Sequence, residues 1–116
     1  MAFVLATASS AIAAAPAQQP QLDCKSGPVT KRFGGSDWLV FACGDGHSLK
    51  LIAAPGSKAA PFTFTFRWMK GNGYDLTGMG KENRTFTDPA YAQLSAFDSR
   101  NLIQLFAEAA AKVPKR

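Results

Sequence analysis

Between Phe62 and Met69 apolar and polar side chains alternate: Phe62, Phe64, Phe66 and Trp68 fall on one side, Thr63, Thr65 and Arg67 on the other. A strand turns successive side chains to opposite faces, so the alternation predicts a half-buried β-strand. Lys70-Gly71-Asn72-Gly73 reads as a hairpin turn, and Tyr74 to Gly80 as the returning strand, with Tyr74, Leu76 and Gly78 on one side. Upstream, Trp38 to Cys43 is an apolar run of strand length. Ser48 to Ala53 sets Leu49, Leu51 and Ala53 against Ser48 and Lys50, with Ile52 as the exception. The two are joined by Gly44-Asp45-Gly46-His47, whose Asp-Gly pair predicts a type I′ turn, because both central residues need positive φ. Val29 to Phe33 reads as a short first strand, turned by Gly34-Gly35-Ser36-Asp37, and Ala54 to Pro61 as a loop.

After a loop from Lys81 to Thr87 the period becomes helical. Asp88-Pro89 predicts an N-cap followed by proline at the first helical position, where the missing N–H is harmless. Ala90, Tyr91, Leu94 and Phe97 then recur at helical spacing. Asp98 or Ser99 caps a second helix running to about Val113 and stopped by Pro114. Its expected apolar face is Leu102, Leu105, Phe106, Ala109, Ala110 and Val113. Strands followed by helices predict an α+β fold: a small antiparallel sheet packed on one face by two C-terminal helices, the other face open to water. Phe64 and Phe66 are expected to bury against Leu102, Leu105, Phe106 and Ala109.

The start of the chain changes where this domain is expected to work. Ala2 to Ala15 carries no charge and ends in small residues before Pro16 and a Gln-rich stretch. That is the form of a secretory apolar region with an Ala-x-Ala cleavage site, and it is too short to span a membrane. Ala13-Ala14 and Ala17-Gln18 are the candidate scissile bonds, although no Lys or Arg precedes the run. Residues 1–17 are therefore read as a signal peptide, 18–28 as an extended segment and 29–114 as a single domain of the periplasm or exterior. A chain of 116 residues allows one core, and nine Phe with two Trp supply its bulk. All 21 charged residues lie beyond the leader with a net charge of +5, which favours an anionic partner. The cations are scattered, and an exported chain seldom meets nucleic acid.

Export also bears on Cys24 and Cys43. An even cysteine count in an oxidising compartment predicts a disulfide, pinning the N-terminal segment to the strand that carries Cys43. Two thiols and the sole histidine, His47, are too few for a metal site, and no cofactor fingerprint is present: the glycines at 71, 73, 78 and 80 flank a strand and do not open a helix. No nucleophile motif accompanies His47 and Asp45, and Asp88 and Asp98 read as helix caps, so no catalytic residue is assigned. The candidate binding residues are Asp45 and His47 in the first hairpin turn, and Ser57 and Lys58 in the loop between Pro55 and Pro61.

Trp38-Leu-Val-Phe-Ala-Cys-Gly-Asp-Gly-His-Ser-Leu, Ala-Pro-Gly at 54–56, Pro61-Phe62 and the helix from Asp98 to Ala111 resemble a group of small exported proteobacterial proteins of unknown function. That resemblance spans most of residues 38–112 and implies no activity. Phe41-Ala-Cys43-Gly-Asp-Gly46-His-Ser-Leu49 is similar to the Tyr-x-Cys-x-x-Gly opening of periplasmic C-type lysozyme inhibitors. That family implies an all-β barrel whose loop enters the lysozyme cleft. The downstream Ser-Gly-x-x-Tyr pattern is absent here, and two helices stand where late strands would be. The expected function is a non-catalytic domain of the bacterial cell envelope that binds a protein or an anionic envelope component. A lysozyme-type inhibitor is the alternative, and a small hydrolase using His47 a second one.

Overall fold

The computed structural model describes residues 22–81 and 83–112; the expected leader, Val113 and Pro114 lie outside them. Five strands run β1 (Ser26–Phe33), β2 (Ser36–Ala42), β3 (Leu49–Ala53), β4 (Phe62–Trp68) and β5 (Tyr74–Gly80). They form one sheet in sequence order, every neighbouring pair antiparallel. Two helices follow, α1 (Arg84–Ser95) and α2 (Ser99–Ala110). The α+β architecture predicted from the sequence is the one observed. Ser26 to Pro28, read as part of the extended segment, belong to β1, which departs from regular register between Ser26 and Val29.

Register decides which side chains meet. Val40 stands opposite Leu51, Leu51 opposite Phe64, and Leu49 opposite Phe66, so one apolar band crosses the central strands. Trp38, Val40, Leu49, Leu51, Phe62, Phe64 and Phe66 are buried there with Leu94, Leu102, Leu105 and Ala109 from the helices. Trp38 is wholly buried, and its indole N–H donates to the Phe33 carbonyl at 3.2 Å, so no polar atom of the largest core side chain goes unpaired. The helices divide the cover between them. α2 lies over β2 and β1, where Lys31 and Glu108 form an ion pair. Phe64 and Phe66 share the buried core with Leu102, Leu105 and Ala109 as expected, and the α1 region adds ring contacts: Phe64 faces Tyr91 of α1 at 6.2 Å, and Phe66 stacks on Phe97, just beyond α1. A helical period identifies the apolar face but not the strand it lands on.

The start of α1 differs from the expectation, and the start of α2 agrees with it. α1 begins at Arg84, not at Asp88, so Pro89 lies inside the helix. Tertiary burial accompanies the extra turn, since Thr87 is buried and Phe86 packs on the core, and a local bond from the Thr87 hydroxyl to the Asn83 carbonyl closes it. Asp88 is released from capping and pairs with Arg84. Pro89 sits where the β1–β2 turn docks. A Cβ on Gly34 would lie 2.2 Å from the Ala90 nitrogen, so only glycine admits this approach, and the Gly34 N–H donates to the Gln93 side chain. α2 does start at Asp98, whose carboxylate accepts from the Asn101 N–H while the Asn101 side chain accepts from the Asp98 N–H, a reciprocal capping box. Of its expected face, Leu102, Leu105 and Ala109 are buried, Phe106 is half-buried and Ala110 is exposed.

Cys24 and Cys43 are joined by a disulfide. The N-terminal segment is also tied by the Gly44 N–H to the Asp23 carbonyl and by the Gly27 N–H to the Lys112 carbonyl. The bridge closes a loop across a sequence separation of 19, for which chain entropy gives about 3 kcal/mol. Protein purified without reductant should therefore show no titratable thiol when denatured, and reduction should lower its melting temperature. Free thiols in protein so purified would contradict the pairing. Phe64→Ala should cost about 3–5 kcal/mol in urea unfolding, and Thr65→Ala, on the opposite face, no more than about 0.5 kcal/mol. Equal losses would contradict the one-sided core.

Candidate functional site

At one end of the sheet the β2–β3 turn, the β4–β5 turn and the first turns of α2 come together. The β2–β3 connection is a four-residue loop from Gly44 to His47, closed by the Cys43 N–H to the Ser48 carbonyl at 2.9 Å. It is not the expected type I′ turn, because Gly46 has positive φ and Asp45 does not. The Asp45 side chain supplies the restraint. One carboxylate oxygen accepts from the backbone N–H groups of His47 and Ser48, and the other accepts from the Ser48 hydroxyl at 2.5 Å. The Ser48 oxygen in turn accepts from the Trp68 N–H at 2.9 Å. One buried hydroxyl therefore links the β2–β3 turn to the end of β4.

His47 is placed by this link. Its imidazole takes no part in the Asp45–Ser48 hydrogen bonds; it stacks on Trp68, with ring centroids 3.7 Å apart and planes 27° from parallel. Asp45, His47 and Ser48 thus hold residue types of a hydrolytic triad without its wiring, since the serine hydroxyl donates to the carboxylate and not to the imidazole. Burial pushes the Asp45 carboxyl upward, but the hydrogen bonds from Ser48 and His47, with the nearby His47 charge, outweigh it and hold the group below its ordinary value. Burial, and then the Asp45 charge, raise the Tyr74 phenol above its ordinary value. Tyr74 therefore faces the groove as a neutral phenol.

The groove beside this stack has a volume of about 570 Å³. His47, Trp68 and Tyr74 line it from the sheet, Lys70 from the β4–β5 turn, and Ile103 and Phe106 from α2. Ile103 is 60% exposed. The wall is aromatic and aliphatic with a cation at its rim, a composition suited to binding.

The structure brings Asp45 and His47 together here and puts Ser57 and Lys58 elsewhere. β3 separates the pairs, beginning just after the first and ending just before the second. The Ser57 hydroxyl accepts from the Ala59 N–H, and the Lys58 ammonium lies 5.7 Å from the Phe86 ring centroid. A hollow of about 290 Å³ adjoins them, edged by the Arg32–Asp37 ion pair. Sequence reasoning missed Trp68 and Tyr74 as site residues because they continue the core alternation of β4 and β5. Phe106 was hidden in the apolar stripe of α2 for the same reason. Ile103 was the available signal, an isoleucine outside that stripe.

Among the described residues no three His, Cys, Asp or Glu side chains gather as metal ligands, and no helix is long and apolar enough to cross a membrane. Compared with known families, characterised proteins and solved structures, the chain matches none.

Because the folded Asp45 carboxyl is held below 3.8, its contribution to stability is fully present above that pH and is lost as pH falls through the lowered value. Wild-type protein should melt above Asp45→Asn at pH 7, and the difference should shrink progressively below about pH 4. A pH-independent difference would show that the charged hydrogen bonds do not stabilise the turn.

Proposed function

We propose that this protein is a non-catalytic binding domain of the bacterial cell envelope that receives a macromolecular partner in the groove beside the His47–Trp68 stack. The stack carries the reading. Two rings are held ready at the mouth of an apolar groove by a hydrogen-bond relay that ends on a buried serine. Rigid aromatic side chains lose little freedom on binding, and such anchors dominate interface energies. The disulfide fits an oxidising compartment, and the net charge of +5 with Lys70 at the rim favours an anionic surface. The hydrolase alternative has no support from Ser48, whose hydroxyl is already committed to Asp45 and Trp68.

The test is an NMR titration with anionic lipid vesicles, an acidic polysaccharide and a purified lysozyme. At least one should perturb His47, Trp68 and Lys70. His47→Ala should weaken that binding about tenfold and leave the fold intact, whereas Lys58→Glu should not change it. Perturbation confined to Ser57 and Lys58, or to the open sheet face, would overturn the groove as the docking site. Inhibition of the lysozyme, lost in His47→Ala, would assign the protein to the inhibitor class. Hydrolytic activity lost in the same variant would overturn the non-catalytic reading.

A further inference from the structure

The two edges of the sheet are built differently. β1 carries the devices that block edge pairing: Pro28, an irregularity between Ser26 and Val29, and Lys31 turned onto the helix-covered face to meet Glu108. β5 carries none of them. It is seven residues long, Tyr-Asp-Leu-Thr-Gly-Met-Gly, with a single charge, and Met79 is 79% exposed. Among the described residues nothing pairs with its outer side.

The hydrogen-bond phase of that edge follows from its ends. Met69 N–H donates to the Gly73 carbonyl and Lys81 N–H to the Pro61 carbonyl. In an antiparallel pair bonded residues alternate, so Asp75, Thr77 and Met79 bond to β4. The N–H and C=O groups of Tyr74, Leu76, Gly78 and Gly80 therefore point away from the sheet.

We infer that β5 pairs antiparallel with β5 of a second copy about a two-fold axis at Thr77, joining two five-stranded sheets into one. This register makes all four outward residues bond to outward residues: Tyr74 to Gly80 and Leu76 to Gly78 of the second copy. It also puts a bulky side chain opposite a glycine at each of those positions on the inner face. The fit is specific to this axis, since centring on Leu76 or Gly78 sets identical residues opposite each other there. On the outer face Asp75 stands opposite Met79, so no like charges meet. Lys81 of the second copy, one residue past Gly80, follows diagonally from Asp75, so the charges nearest each other across the axis are of opposite sign, and the symmetry repeats this. Gly78 is also closed to its own side, because the Phe62 and Phe64 rings lie over it, and a Cβ there would be 2.8 Å from Phe62. Isologous contact of this kind closes as a dimer and leaves no β5 edge for further growth.

The experiment is sedimentation equilibrium of the full domain across roughly the micromolar to millimolar range, with hydrogen exchange read in parallel. A monomer–dimer equilibrium is expected, with concentration-dependent protection at Leu76 and Gly78 and none gained at Thr77, whose amide is already bonded within the subunit. Thr77→Lys sets two lysines face to face at the axis and should raise the dissociation constant about fivefold or more without changing the monomer fold. Thr77→Cys should cross-link to itself, because residues opposite at a non-hydrogen-bonded site have Cα atoms about 4.5 Å apart, whereas Thr63→Cys in β4 should not. A monomer at all concentrations overturns the proposal, as does a dimer indifferent to Thr77→Lys. Protection of Leu76 and Gly78 only on adding an extended peptide would overturn it too, and assign the edge to a peptide strand.

Discussion

The sheet has one apolar face, and everything else in the structure answers to the need to cover it. Trp38, Val40, Leu49, Leu51, Phe64 and Phe66 are drawn onto that face by the strand period, and their register brings them into one continuous band. Burying a large side chain of this kind is worth about 1.5–3 kcal/mol, so the band outweighs any single hydrogen bond or ion pair in the molecule. The helices supply the cover and the disulfide holds the first strand in place. Even α1's extra turn follows from it, since Phe86 and Thr87 gain burial that the exposed alternative lacks.

The cover is incomplete at one end, and the candidate site lies there. Where β4 runs out, Trp68 is only half-buried, and the partner its indole finds is the imidazole of His47. Asp45 makes that possible through backbone and hydroxyl hydrogen bonds, not through proton transfer. A negatively charged carboxylate with three donors is a rigid strut, and those donors help to hold its pKa below the ordinary value. The groove and the edge of β5 share Tyr74, the residue at which the sheet's interior turns into its surface.

Local chemistry determined a good deal of this by itself. Period-two alternation in β4, turn residues around β2 and β3, the helical stripe of α2 and the Asp98 cap depend on side chains within a few positions of one another. So does the α+β order of elements, and the pairing of two cysteines needs only their number and an oxidising compartment. Tertiary structure decided the rest. Asp88-Pro89 has the local signature of a helix start, but Phe86 packs on the core and Thr87 is buried, and the helix starts at Arg84. An Asp-Gly pair suits a tight turn, but the chain forms a four-residue loop tied to β4 by the hydroxyl of Ser48 and the backbone N–H of Trp68, 20 residues apart. Trp68, Tyr74 and Phe106 read as core because alternation cannot tell a covered position from one just past the end of its cover. That difference depends on where α2 begins relative to the sheet, a distance that no local pattern encodes.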